Sequence, residues 1–219
     1  MKPGDLAEAE RKQREKRIVL TAAELFLERG AENVRMTDIA DECGIGVATL
    51  YRYFGTKSAI MLESGTLLWR DVARLFELQF HSPEYEAASG IAQMEILLGA
   101  YVQLYMEQQP FLRFLDALDT VLLTEKPDPE TLLPYRESIL DFYDLFRAAH
   151  EKGEADGSIR PGLDANFLYR TISDFLNGTA RKFLRGEVLP EDDYTQGAAE
   201  MALFVEMVLG YLRDPAYNF

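Results

Sequence analysis

Cysteine is nearly absent from this chain: the single one, Cys43, cannot form an internal disulfide, in keeping with a reducing compartment. Histidine is almost as scarce, with only His81 and His150, and no HExxH, P-loop, GxGxxG or GxSxG pattern is present. The side-chain sets from which metal sites, phosphate-binding loops and nucleophile elbows are built are therefore missing. No metal, no cofactor and no enzymatic activity are expected. No run approaches the roughly 18 consecutive apolar residues of a membrane span, and the opening segment MKPGDLAEAERKQREKR lacks the apolar stretch of a signal peptide. A cytoplasmic location and no membrane partner are expected. Alternating segments bounded by hairpin signals are missing too, so almost no strand is expected.

What is present is an ordinary globular composition: 219 residues, 47% hydrophobic and 27% charged, enough for a sizeable core. The net charge of −14 is unevenly spread. Residues 1–60 hold ten basic and ten acidic side chains, leaving 13 basic and 27 acidic to the remainder. Such polarity either orients the molecule toward a polyanion by its neutral end or serves solubility alone.

Helical periodicity runs through the chain, and the fold class is all-α with about nine helices. A first helix over Lys12–Arg29 places Ile18, Ala22, Leu25 and Phe26 on one face and ends at Gly30. Its early turns carry Arg11, Lys12, Arg14, Lys16 and Arg17, either a solvated face or an arm for phosphates. A short helix over Thr37–Cys43, with Thr37 as N-cap, is followed across Cys43-Gly44-Ile45-Gly46 by another over Val47–Phe54. Two short helices so close together must meet at a steep angle, which is a helix-turn-helix. Ile39, Ala40, Ile45, Leu50 and Phe54 are its core candidates. Val47, Ala48, Thr49, Tyr51 and Arg52 are left facing outward.

Thr56 can cap a long fourth helix reaching Phe80, with Leu62, Leu67, Leu68, Val72, Leu75 and Phe76 available for burial and His81-Ser82-Pro83 ending it. Further helices are expected over Ala87–Gln108, Pro110–Leu123, Glu130–Lys152, Asp164–Leu184 and Tyr194–Leu212. The loops between them carry Pro127, Pro129, Gly153, Gly157, Pro161 and Pro190.

The run Thr37-Asp38-Ile39-Ala40, Cys43-Gly44-Ile45, Thr49-Leu50-Tyr51-Arg52-Tyr53-Phe54 and Lys57 resembles the N-terminal domain of the TetR family of transcriptional regulators. The likeness covers about Glu15 to Leu62, with Gly157-Ser158-Ile159-Arg160-Pro161 as a further local match. It implies a three-helix DNA-binding domain over residues 1–56 and a larger helical ligand-binding and dimerisation domain over 57–219. By the same resemblance Thr37, Thr49, Tyr51, Tyr53 and Lys57 contact phosphates of double-stranded, palindromic operator DNA, while Val47, Ala48 and Arg52 sit near bases. Arg35 joins them as a DNA-contact candidate. Gly46 and Val47 depart from the family's usual serine and polar residue. Val47 and Ala48 can touch thymine methyls, which leaves Arg52 as the polar reader of guanine.

One short recognition helix offers few base contacts, so a two-fold homodimer is expected. The resemblance assigns its interface to 164–184 and 194–212, where Asn177-Gly178-Thr179-Ala180 and Gly197-Ala198-Ala199 permit close approach; the alternative is intrachain core. It also implies a pocket for a small-molecule inducer. Candidates are Trp69, Tyr101, Tyr105, Phe114, Phe142, Phe146 and Phe175, with Asp116 and His150 as polar groups; aromatics at helical spacing also serve as plain core. Cys43 on the inner side of a short helix reads as a small hydrophobe rather than a redox switch. The expected function is a ligand-released repressor; the alternatives are an activator or a ligand-independent architectural protein of the same fold.

Overall fold

The structure, a computed structural model, describes residues 3–139, 142–186 and 193–213. Every regular element among them is helical, as the periodicity predicts. In order these are α1 (Pro3–Arg29), a 3-10 turn (Ala31–Asn33), α2 (Met36–Glu42), α3 (Val47–Phe54), α4 (Lys57–Phe80), α5 (Pro83–Ala87), α6 (Gly90–Glu107), α7 (Gln109–Glu125), α8 (Pro129–Ser138), α9 (Tyr143–Asp156), α10 (Ala165–Arg185) and α11 (Gly197–Arg213). No described helix is long and apolar enough to cross a membrane. Pro190, expected in a loop, lies outside the described residues.

Two helices beyond the expected nine have local causes. Ser82, read as part of a terminator, accepts from the Tyr85 amide at 3.1 Å and caps the five-residue α5, with Pro83 as its first residue. The single helix expected over Glu130–Lys152 is instead α8 and α9. The Ser138 hydroxyl donates back to the Tyr135 carbonyl at 2.6 Å and Ile139 turns extended, a side-chain bond that competes with the helical ladder.

Packing divides the chain into two compact units, Met1–Ala73 with Arg113–Leu140, and Arg74–Leu112 with Asp141–Phe219. In the first, α1 buries Ile18, Ala22, Leu25 and Phe26, as their spacing predicts, and also Val19 and Ala23. So broad an apolar face needs more cover than α2 and α3 supply. Phe26 stacks on Phe114 with centroids 5.7 Å apart, and the Ser64 hydroxyl donates to the Val19 carbonyl at 3.5 Å. The compact unit therefore runs past residue 56, where the sequence-based division falls, and recruits 113–140.

In the second unit, α6 and α9 approach backbone to backbone. A Cβ on Gly90 would lie 2.1 Å from the Gly153 nitrogen and 2.5 Å from the Ala149 carbonyl oxygen. The segment after α9 locks this contact. The Asp156 carboxylate accepts from the Gly90 amide at 2.8 Å, and the Ser158 hydroxyl from the Ile91 amide at 3.1 Å, so both cap α6 from a distant part of the chain. Ile159 is buried, the Arg160 amide donates to the Leu212 carbonyl at 2.9 Å, and the Arg160 guanidinium lies 3.9 Å from the Tyr211 ring centroid. Gly157-Ser158-Ile159-Arg160-Pro161 is thus a clasp joining α6, α9 and α11. Hydrogen bonds from Ser158 and Gly90 hold the Asp156 carboxyl below its ordinary range.

Leu75, expected to be buried on α4, is exposed, whereas Leu62, Val72 and Phe76 are buried and Leu67 and Leu68 half-buried. Gly197, read as a small residue for close approach to a partner, faces its own chain. A Cβ there would meet the Phe183 ring at 2.6 Å and the Tyr105 hydroxyl at 2.8 Å.

Candidate nucleic-acid interface

The α2–α3 turn is built by one glycine. Gly44 has φ +65°, a left-handed conformation that side chains rarely adopt. It lets the Gly44 amide reach the Asp41 carbonyl and the Ile45 amide reach the Ala40 carbonyl, both at 3.0 Å. These two bonds satisfy the end of α2 and turn the chain toward α3. The start of α2 departs from expectation: Thr37 lies inside the first turn, and Arg35 is the cap residue. The Asp38 carboxylate accepts from the Arg35 amide at 2.7 Å, so the acidic group three residues on satisfies the amide of the cap residue itself, the reciprocal half of a capping box.

Ile39, Ala40 and Leu50 are fully buried and fix the angle of α3; Ile45 and Phe54, also expected in the core, are half-buried. With Leu50 turned inward, Val47, Ala48, Tyr51 and Arg52 are exposed on α3, Thr49 and Tyr53 are half-exposed, and Arg35 and Thr37 are exposed beside α2. Lys57 is half-buried, and its ammonium donates to the Ala31 carbonyl, tying the start of α4 to the α1–α2 loop. Burial lowers the Lys57 pKa, opposed by Glu32 and Asp38. An ammonium has three donors, so this bond leaves two for another acceptor. Cys43 is half-buried, and desolvation raises its thiol pKa, which disfavours the reactive thiolate.

The start of α3 lacks a side-chain cap because Gly46 occupies it, at φ −67° and ψ 141°. Any residue adopts this conformation, and a Cβ there meets nothing within 4 Å. Gly46→Ser should stabilise the protein by about 0.5–1 kcal/mol, through the added cap and a less flexible unfolded chain. Thermal melting should register a rise of about 1–4 °C. A lower melting temperature would contradict this account of the cap.

Arg11 and Arg14 were not joined to α3 by sequence reasoning. They line one groove with Glu10, Arg52 and Tyr53, and the Arg11 guanidinium lies 5.8 Å from the Tyr53 ring centroid. The signal was in the register. Counting back from Leu25, Ala22 and Ile18, the next positions on that face of α1 are Arg14 and Arg11. The inward stripe changes from apolar to cationic where α1 outruns the core.

The ligand candidates divide between the units. Phe114 is core against Phe26, Trp69 donates its indole N–H to the Tyr135 hydroxyl at 3.3 Å, and Asp116 is half-buried, all in the first unit. In the second, Tyr101, Phe142 and Phe146 line one cavity with Leu97, Tyr169 and Ser173. Its volume is about 10 Å³, at the lower bound of what one water requires. Tyr105 packs on Phe183 at 6.0 Å, and Phe175 stacks on Phe204 at 3.9 Å. His150 is buried, and its Nε2 has no hydrogen-bond partner among the described residues.

A helix-turn-helix whose second helix presents an exposed side, followed by a larger helical body, defines the class of helix-turn-helix transcriptional regulators. A family profile described as bacterial regulatory proteins, tetR family, matches residues 18–63. An HTH-type transcriptional regulator of Staphylococcus aureus (strain MRSA252) is 30% identical over 137 residues, 63% of this chain and 69% of the relative. A putative transcriptional regulator from Saccharomonospora viridis, solved in complex with choline, has a similar fold, with a TM-score of 0.65 at 24% identity over 91% of this chain and 97% of that one. A putative TetR-family regulator from Rhodococcus sp. has a TM-score of 0.64 at 17% identity over 90% and 99% of the two chains. The chain belongs to the TetR family of DNA-binding transcriptional regulators.

Proposed function

We propose that the protein is a homodimeric repressor that binds a palindromic operator in the cytoplasm and leaves it when a small molecule binds. The observation that carries the DNA half of this reading is the solvent-facing side of α3, where Val47, Ala48, Tyr51 and Arg52 stand exposed above a buried Leu50. In this reading Val47, Ala48 and Arg52 meet base edges, and Arg35, Thr37, Thr49, Tyr51, Tyr53 and Lys57 hold the backbone. Residues 1–56 then form the DNA-reading part, and 57–219 the part that responds and dimerises.

The dimer half rests on α10 and α11. Phe167 is 67% exposed, Phe175 47%, Leu203 58% and Met207 53%. Phe167 and Phe175 recur on one face of α10, Leu203 and Met207 on one face of α11, and the Phe175–Phe204 stack joins the two. Gly178, on the same stretch of α10, has open space around it. Apolar faces of this kind mark an interface.

The ligand half rests on the aromatic cavity and on His150, which follows Phe146 by one turn on the same face of α9. An unpartnered buried imidazole nitrogen is a group that a ligand can satisfy. Helix α4 begins at the DNA-reading part and continues to Phe80; its displacement would reset the spacing of two recognition helices, ideally about 34–36 Å. The small cavity volume favours a second reading, a ligand-independent architectural protein.

Selection from a pool of randomised duplexes tests the reading, with the enriched duplex then measured against its single-base variants. Specific, salt-dependent binding to one palindrome is expected. Arg52→Ala should lose about 1–3 kcal/mol of discrimination at one base pair per half-site. Equal binding to all sequences would favour the architectural reading, and unchanged discrimination in Arg52→Ala would remove Arg52 from base reading.

A further inference from the structure

We propose that the groove between the N-terminal half of α1 and the end of α3 holds a backbone phosphate of the bound duplex, making α1 a second DNA-contacting element. The inference rests on the DNA-binding reading above and adds to it a site and two residues, Arg11 and Arg14. The groove, about 400 Å³, is lined by three guanidinium groups, one carboxylate and one phenol, from Arg11, Arg14, Arg52, Glu10 and Tyr53. Arg11 is shared with Glu15 at 3.0 Å. Arg14 and Arg52 make no ion pair among the described residues.

Like charges gathered in one concavity repel unless a counter-charge is supplied. With Glu10 in the groove and Glu15 on Arg11, two carboxylates against three guanidinium groups still leave a net positive charge for an anion to balance. Guanidinium groups present planar pairs of N–H donors that match phosphate oxygens, and the Tyr53 hydroxyl adds a further donor. Arg52 belongs both to this groove and to the exposed side of α3, so an anion seated here is continuous with whatever α3 meets. The basic surface continues along α1 through Lys16 and Arg17. A polymer of phosphates fits such a strip better than a single small anion.

The contact has two signatures. Phosphates position a protein without reading sequence, so losing one weakens all duplexes alike, and each lost contact reduces the salt slope by about one.

The test uses the full-length protein and a duplex of about 40 base pairs enriched by the wild type from a randomised pool, long enough to flank both half-sites. Arg11→Ala/Arg14→Ala should bind at least about tenfold more weakly at 150 mM salt, with a salt slope smaller by about one or more. Its preference among single-base variants should be unchanged. Phosphate-ethylation interference should lose a contact flanking each half-site. Glu10→Gln, which removes the opposing carboxylate, should bind more tightly. A wild-type salt slope and interference pattern in the double variant would overturn the proposal, as would a Glu10→Gln variant that does not tighten. Failure of the wild type to enrich any duplex would overturn both this site and the DNA-binding reading, which separates the two failures. Arg11 and Arg14 are solvent-exposed, and Glu10→Gln tests the groove even if the double variant folds poorly.

Discussion

In the dimer proposed above, Leu203→Glu combined with Met207→Glu is expected to leave a single 24.9 kDa chain in solution and to weaken binding to the selected duplex by about 10²–10⁴-fold. Both side chains are more than half exposed, so glutamates there remain solvated in the isolated chain and its helices should persist. Across a two-fold axis the same substitutions place four carboxylates at an apolar contact, where unpaired charge is costly. The loss of affinity follows from linkage. One α3 bound to its half-site holds the second at an effective concentration in the millimolar range, and a monomer forfeits that gain. Sedimentation equilibrium together with binding to the selected duplex checks both outcomes. A variant that remains dimeric with unchanged affinity would place the interface elsewhere.

Gly90→Ala should cause the largest loss of stability of any one-methyl change in the second unit, about 3 kcal/mol or more. The added carbon would meet the Gly153 nitrogen at 2.1 Å, the Gly153 Cα at 2.2 Å and the Ala149 carbonyl oxygen at 2.5 Å. All three are backbone atoms, so no rotamer change relieves them. Separating α6 from α9 would also strain the Asp156 and Ser158 bonds to the first turn of α6. Gly99→Ala on the same helix is the control. Nothing lies within 4 Å of its Cβ position, and replacing a helical glycine there should add about 0.5–1 kcal/mol. Thermal melting of the two variants should therefore move in opposite directions. Similar melting temperatures would refute the backbone-contact account.

These two glycines mark where sequence reasoning stops. α3 was legible because Gly44, Gly46 and Gly55 bracket it and Leu50 is its one buried side chain. α10 was legible from Asp164, whose carboxylate accepts from the Asn166 and Phe167 amides at 3.0 Å, and from its apolar stripe. The contact of Gly90 with Gly153 joins residues far apart in the chain, and no periodicity encodes it. Gly157-Ser158-Ile159-Arg160-Pro161 stood out as a pattern before its role could be known, because its bonds end on α6 and α11. At the candidate interface, the exposed side of α3 followed from the burial of Leu50. The approach of Arg11 to Tyr53 required the length of α1, which the sequence reading began at Lys12, nine residues after its actual start at Pro3. Ser82 misled for a different reason: a serine before proline both ends one helix and starts the next.

The cavity beside Tyr101 and Phe142 has a consequence for dose. Any small molecule taken up there requires a conformation in which α6, α9 and α10 have moved apart, since the resting volume of about 10 Å³ admits nothing larger than water. If the open form is about one molecule in a hundred, the apparent dissociation constant rises about a hundredfold above that of the open site. The concentration at which a molecule seated there would act is then set as much by the stiffness of the aromatic packing as by the contacts the molecule makes once inside.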